Sequence, residues 1–304
     1  MKRIFAFGCS YTSYSWPTWA NFLELEFDEM YNYALTGLGN RAIAERVTEA
    51  HARHQFTKDD LIIVQWSSHL RNDWWHQEST PSRVKGWKTY GSIFNYHNVK
   101  LYDKKWIDTF FYEPAYFMHT LNNISAIQGF LNGIGCQWYM TSMGDVREMG
   151  KDMRDKDGYG EKTDLVTKHK RGDDYSAWEM LPDLKIYEKT IWEDHADHWL
   201  MPMELFCQTC PELTFDFIDY NGTHFIDLHP SSAQHVEWIK HELKDKLNLS
   251  DDTITRAEGL VSNINEVHKK FKFDKTAFEF ALGRKQGFTE SVSKMTWPGI
   301  PLGF

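Results

Sequence analysis

Residues 61–66 read Leu61-Ile62-Ile63-Val64-Gln65-Trp66, between the acidic pair Asp59-Asp60 and the hydroxyls Ser67-Ser68. The run has strand length and is apolar almost without a break, where a half-buried strand would alternate. Apolar residues on both sides of a pleat need cover on both faces, the condition of an inner strand in a parallel sheet. Toward the N-terminus, residues 2–7 (KRIFAF) end at Gly8 and predict a first buried strand. Pro17 then suits a first helical turn, and Trp19, Phe22 and Leu23 give a helical face to about Leu25. Residues 30–35 again have strand length. They run into the turn formers Thr36-Gly37-Leu38-Gly39-Asn40, after which Ile43, Val47 and Ala50 mark the buried stripe of a second helix.

Toward the C-terminus, Ile124, Ile127, Phe130, Leu131 and Ile134 recur at helical spacing, and residues 136–141 predict a fourth strand. Residues 213–218 (LTFDFI) read as a fifth. Ser231-Ser232-Ala233-Gln234 is a capping box that opens a helix with Val236, Ile239 and Leu243 on its face. Strands alternating with helices predict an α/β fold with a doubly wound parallel sheet of about five strands. Two insertions interrupt the pattern. Residues 72–118 are rich in Trp, Tyr and Phe without a period, and residues 145–212 contain a charged, apolar-poor run at about 150–174 that reads as a solvated loop. The α/β domain accordingly spans 1–248. Residues 249–304 form a C-terminal helical extension, with helices at about 253–271 and 275–282 ahead of the closing WPGIPLGF.

Composition narrows the function. A chain of 304 residues with 41% hydrophobic and 25% charged residues is globular rather than fibrous or disordered. No apolar stretch approaches the roughly 18 to 20 residues of a bilayer span. The net charge of -9 repels a phosphate backbone, so nucleic acid is not an expected partner. The opening MKRIFAFGC has too short an apolar part for a signal peptide, so a cytoplasmic location is expected, association with a larger assembly being left open. The four cysteines are too few for a disulfide framework, which points to a reducing compartment. Cys207 and Cys210 form a CxxC that could hold metal or do redox chemistry, but no second CxxC completes a zinc site. Aromatic residues make 15% of the chain, more than core filling takes, so some rings are expected to line a surface or cleft; Trp74, Trp75, Trp87, Tyr90 and Trp106 either do so at a cleft mouth or pack the insertion onto the sheet.

In an open parallel sheet, ligands gather beyond the carboxyl ends of the strands, where the strand order reverses. Four segments converge there: residues 8–12, 36–40, 67–71 and 227–230. Ser10 lies in a tight turn ahead of a helix and needs a base to become a nucleophile. His229 can be that base, and Asp227 can orient its imidazole. Each element also has an ordinary reading as a turn, a cap or a turn glycine. A rival chemistry lies at Glu193, His195, Asp197 and His198, where two histidines at i, i+3 could hold a metal or merely face solvent between Trp192 and Trp199.

Together and in order, FGCSYT at 7–12, NYALTGLGNRAI at 32–43, IIVQWSS at 62–68 and DLHPSSAQH at 227–235 resemble the four blocks of the SGNH (GDSL-like) hydrolases. The resemblance covers about the first 248 residues and implies a flavodoxin-like sheet. It implies Ser10 as nucleophile, His229 as general base and Asp227 as its partner, with the N–H groups of Ser10 and Gly37 as oxyanion donors. Cys9 replaces the aspartate of the usual GDS, and the acid and base are spaced Asp-x-His rather than Asp-x-x-His. The third block normally carries an asparagine as a further oxyanion donor, whose place Ser67 takes here. Asn72-Asp73 spells the family's ND but falls a few residues past the strand and is expected to have left the site. Tyr11, Asn40, Trp66 and Arg71, in the same segments, are the candidate substrate contacts. Members of the family are esterases, lipases, thioesterases and carbohydrate deacetylases that need no metal or organic cofactor. The expectation is a serine esterase removing acyl or acetyl groups from a carbohydrate or small-molecule ester. The alternative is a decayed, non-catalytic binding or structural protein, which the missing asparagine favours.

Overall fold

Strands β1 (Arg3–Phe7), β2 (Glu29–Asn32), β3 (Leu61–Trp66) and β6 (Gln137–Ser142) form one parallel sheet in the order β2-β1-β3-β6, and between β3 and β6 the chain makes an antiparallel hairpin of β4 (Arg71–His76) and β5 (Gly86–Ser92). The computed structural model describes residues 2–76, 86–92, 105, 109–110, 113–147 and 185–285. All six side chains of β3 are buried, as expected of a strand covered on both faces. β3 pairs through Ile4↔Leu61 to Phe7↔Val64 on one side and through Leu61↔Gln137 to Trp66↔Ser142 on the other. The α/β class and the parallel sheet are thus as read. The order is compatible with a flavodoxin-like arrangement, in which the first and third strands flank the switch point.

The fifth strand is not part of this sheet. Residues 216–218 instead form β7 (Asp216–Ile218), which pairs antiparallel with β8 (His224–Ile226). The reason is visible in LTFDFI: Phe215 and Phe217 are buried while Asp216 is not, the alternation of a strand with one wet face. The place beside β6 is taken by a single parallel bridge, Met140↔Trp199, reinforced by the Leu200 N–H on the Met140 carbonyl at 2.8 Å.

The helices fall into two packed groups. α2 (Asn40–His54) buries Ile43, Val47 and Ala50 and packs on α3 (Glu113–Ile134). α1 (Trp19–Leu23) packs on α5 (Ser232–Glu242), with Trp19 and Trp238 6.0 Å apart. Between them in sequence lies the short α4 (Met203–Cys207). The C-terminal helices join the same core. α6 (Asp251–Phe271) buries Ile254, Ala257 and Ile264 and packs on α5. α7 (Lys275–Lys285) buries Phe278 and Leu282, with Phe278 set 5.2 Å from Phe215 and 6.0 Å from Trp16. Each Val, Ile, Leu or Phe side chain so buried contributes roughly 1.5–3 kcal/mol.

Among the described residues no helix is long and apolar enough to cross a membrane. Trp74, Trp75, Trp87 and Tyr90 lie on the β4–β5 hairpin. Trp106, the charged run at 150–174 and the closing WPGIPLGF lie outside the described residues.

Candidate functional site

The turn after β1 is closed by its own backbone: the N–H groups of Thr12 and Ser13 both donate to the Cys9 carbonyl, at 3.0 and 3.1 Å. Gly8 is required there, because a Cβ would stand 2.2 Å from Thr12 Oγ1. Thr12 Oγ1 in turn donates to Gln65 Oε1 on β3 at 2.6 Å, tying the turn to the neighbouring strand. Ser10 thereby sits on the carboxyl rim between β1 and β3. The helix expected directly after it starts only at Trp19, so its amide belongs to a closed turn and not to a helix terminus.

The loop 227–230 arrives from β8 and is fixed by α5. Ser231 accepts the Gln234 N–H at 3.2 Å while its own N–H donates to Gln234 Oε1 at 2.9 Å, the capping box read from the sequence. Trp16 Nε1 donates to the Pro230 carbonyl at 2.8 Å. His229 Nε2 then lies 3.0 Å from Ser10 Oγ, and His229 Nδ1 lies 2.7 Å from Asp227 Oδ1. The His229 N–H reaches the same Oδ1 at 2.8 Å. Oδ2 receives the Lys275 ammonium at 3.0 Å and the Tyr14 hydroxyl at 3.2 Å. Burial by itself would raise the Asp227 pKa, but the His229 imidazole and amide and the Lys275 ammonium outweigh it and hold the carboxyl well below the usual range. An ionised carboxylate only accepts, so Nδ1 carries the imidazole proton and Nε2 turns its lone pair to Ser10. That arrangement can take a proton from the serine hydroxyl.

The imidazole is packed as well as bonded. Tyr14 stacks on it at 3.8 Å and 18°, and Tyr11 meets it edge-on at 5.6 Å. Burial, with Asp227 nearby, pushes the Tyr14 hydroxyl up to about 12, so it stays a donor at neutral pH. Tyr11 OH lies 3.0 Å from Glu204 Oε1 and 3.1 Å from the Leu228 carbonyl. Burial raises Glu204 against the Tyr11 hydrogen bond.

The other candidates divide. Gly37 is the third residue of a turn closed by the Leu38 N–H on Leu35 O at 3.1 Å, and its φ of 86° is one that favours glycine. Thr36 Oγ1 reaches the Ser13 carbonyl at 3.2 Å, which sets this turn beside that of Ser10. Ser67 has no donor to offer. Its hydroxyl donates to Leu38 O at 2.8 Å and its N–H to Asn40 Oδ1 at 2.7 Å, so the expected third oxyanion donor is spent on structure. Asn40 is likewise a bracket, its Nδ2 donating to Ser67 O and Thr120 Oγ1 at 2.9 and 3.1 Å. Trp66 is fully buried and cannot meet a substrate, and Tyr11 is nearly so, forming a wall behind His229. Arg71 donates to Leu38 O at 3.1 Å and lines, with Asn40, Asn72, His69 and Tyr116, a cavity of about 570 Å³ whose described walls do not include Ser10 or His229.

Asn72-Asp73 has not left this end of the sheet. Asp73 is buried and accepts the N–H groups of Gly39 and Ala42 at 2.8 and 3.1 Å, although burial raises its carboxyl above the ordinary range. A Cβ on Gly39 would stand 2.6 Å from Asp73 Oδ2. Tyr14 and Lys275 were missed by sequence reasoning, since neither falls in a recognisable motif. At 195–198, His198 Nδ1 is engaged by the Trp138 carbonyl at 2.8 Å, and no three potential ligands group together among the described residues. Cys207 and Cys210 are free thiols, the first pushed up to about 12 by burial, which keeps it protonated. Comparison with protein-family models, with curated proteins and with solved structures finds no match.

Proposed function

We propose that the chain is a serine hydrolase of SGNH type that removes an acyl or acetyl group from a carbohydrate or small-molecule ester. The observation that carries this reading is the unbroken line Ser10 Oγ, His229 Nε2, His229 Nδ1, Asp227 Oδ1, with spacings of 3.0 and 2.7 Å across it. Ser10 Oγ attacks the ester carbonyl carbon as His229 Nε2 takes its proton. The carbonyl oxygen becomes an oxyanion held by the N–H groups of Ser10 and Gly37. Collapse breaks the ester C–O bond, the leaving alcohol takes the proton from Nε2, and Ser10 is left acylated. Water, deprotonated by the same Nε2, then attacks the acyl carbon and returns the free acid and Ser10.

The experiment is labelling by a fluorophosphonate together with p-nitrophenyl acetate turnover. Wild type is expected to react in both, and Ser10→Ala and His229→Ala in neither. A wild type inert to probe and ester sinks the proposal. The spent hydroxyl of Ser67 favours a second reading, a binding or structural protein on the same fold. An oxyanion donor is worth about 2.7–4 kcal/mol, so an enzyme lacking one turns over about 10²–10³-fold more slowly and still reacts with the probe. The second reading predicts no labelling at all.

A further inference from the structure

We infer that Lys275 on α7 is a positioning residue for this reaction: its ammonium fixes the Asp227 carboxylate that orients His229, so the C-terminal helices complete the site. The inference rests on the reading just given and extends it beyond the four segments that suggested it.

Lys275 is not a stray surface cation. Its side chain is 26% exposed, and Nζ lies between Asp227 Oδ2 at 3.0 Å and Glu279 Oε1 at 2.7 Å. The ammonium also stands 5.7 Å from the Tyr14 ring centre and 5.8 Å from that of Trp16. Its place is set by apolar docking. Asp274 opens α7 by accepting the Ala277 N–H at 2.9 Å, and Phe278, one turn beyond Lys275 on the same face, is fully buried against Trp16, Phe215 and Phe217. Asp227 spends Oδ1 on both His229 donors, leaving Oδ2 to Lys275 and Tyr14. Without the cation, Oδ2 keeps only the Tyr14 hydroxyl at 3.2 Å, and the carboxylate loses its charged anchor on the side away from His229. The groups around this centre are Tyr14 and Tyr11 from the turn after β1, Glu204 from α4 by way of Tyr11, His235 from α5, and Lys275 and Glu279 from α7.

The test is the pH profile of kcat/KM for p-nitrophenyl acetate with the full chain and its Lys275→Met, Lys275→Arg and Glu279→Gln variants. Removing the ammonium leaves an unbalanced carboxylate beside the imidazole and favours its protonated form. The acid limb of Lys275→Met is expected to move up by about half to one pH unit, with the plateau about tenfold lower. Lys275→Arg restores the limb. Glu279→Gln, which removes a negative charge, moves it down. A merely structural lysine would lower the plateau and leave the limb in place, and that result overturns the inference. Should Lys275→Met fail to fold, an unmoved limb in Glu279→Gln overturns it equally. A wild type unlabelled by a fluorophosphonate overturns the parent reading and this inference with it. A labelled wild type whose variants share its profile overturns this inference alone.

Discussion

Asp227 takes four donors, and the two on Oδ1 decide which tautomer His229 adopts. Asp227→Asn would present an amide N–H to Nδ1, move the imidazole proton to Nε2 and leave Ser10 without a base. We expect kcat/KM to fall about 10³–10⁴-fold with the fold intact by circular dichroism. Because its folded pKa is depressed, Asp227 also contributes stability that is present above the ordinary carboxylate range and lost as pH falls below it. His235 acts in a higher window. Fully buried, with Nδ1 unpartnered among the described residues, it is pushed from 6.5 down to about 3, first by burial and then by His229. The unfolded chain takes up a proton there below about 6.5 and the folded chain does not, so stability is full above that pH and is lost toward 3. His235→Gln should flatten the decline of the unfolding free energy, read from urea titrations between pH 6.5 and 4, relative to wild type by up to about 1.4 kcal/mol per pH unit. At this scale the meeting of Ser10, His229 and Asp227 was legible only from the four blocks taken together and in order, since each turn alone also has an ordinary reading. Asp73 was seen but misplaced, because distance along the chain was weighed above its bond to the Gly39 N–H, and Tyr14 and Lys275 went unread because their bonds to Asp227 join residues with no common motif.

The elements were readable where burial leaves an unbroken apolar run or a helical period. β3 and α2 stand close to where the apolar patterns put them, and the capping box of α5 is made by the residues that spell it. Ser231→Ala should cost about 1 kcal/mol of unfolding free energy by urea titration, and on the proposed function it should lower activity because α5 anchors the His229 loop. Gly8→Ala is more severe. Its Cβ would meet Thr12 at 2.2 Å in a turn tied to Gln65, so we expect a loss of about 1–3 kcal/mol and of probe labelling at Ser10. The fifth strand was misplaced because length and apolarity were weighed above alternation: LTFDFI buries every second residue and makes a hairpin edge.

Across the whole molecule one core runs from β1 to α7, and Trp16, Phe215 and Phe217 meet Phe278 within it. A chain ending at residue 248 would bare that ring cluster, so it should elute as aggregate in size-exclusion chromatography and lose cooperative unfolding. The C-terminal helices were legible in the sequence but not the rings they dock on, because Trp16, Phe215 and Phe217 lie on distant segments. Ser10 precedes His229 by 219 positions, and Lys275 lies farther along still. On the proposed function, the serine gains its full set of partners only once the ribosome has passed Lys275, and a nascent polypeptide cut short of that point is expected to leave a fluorophosphonate unbound.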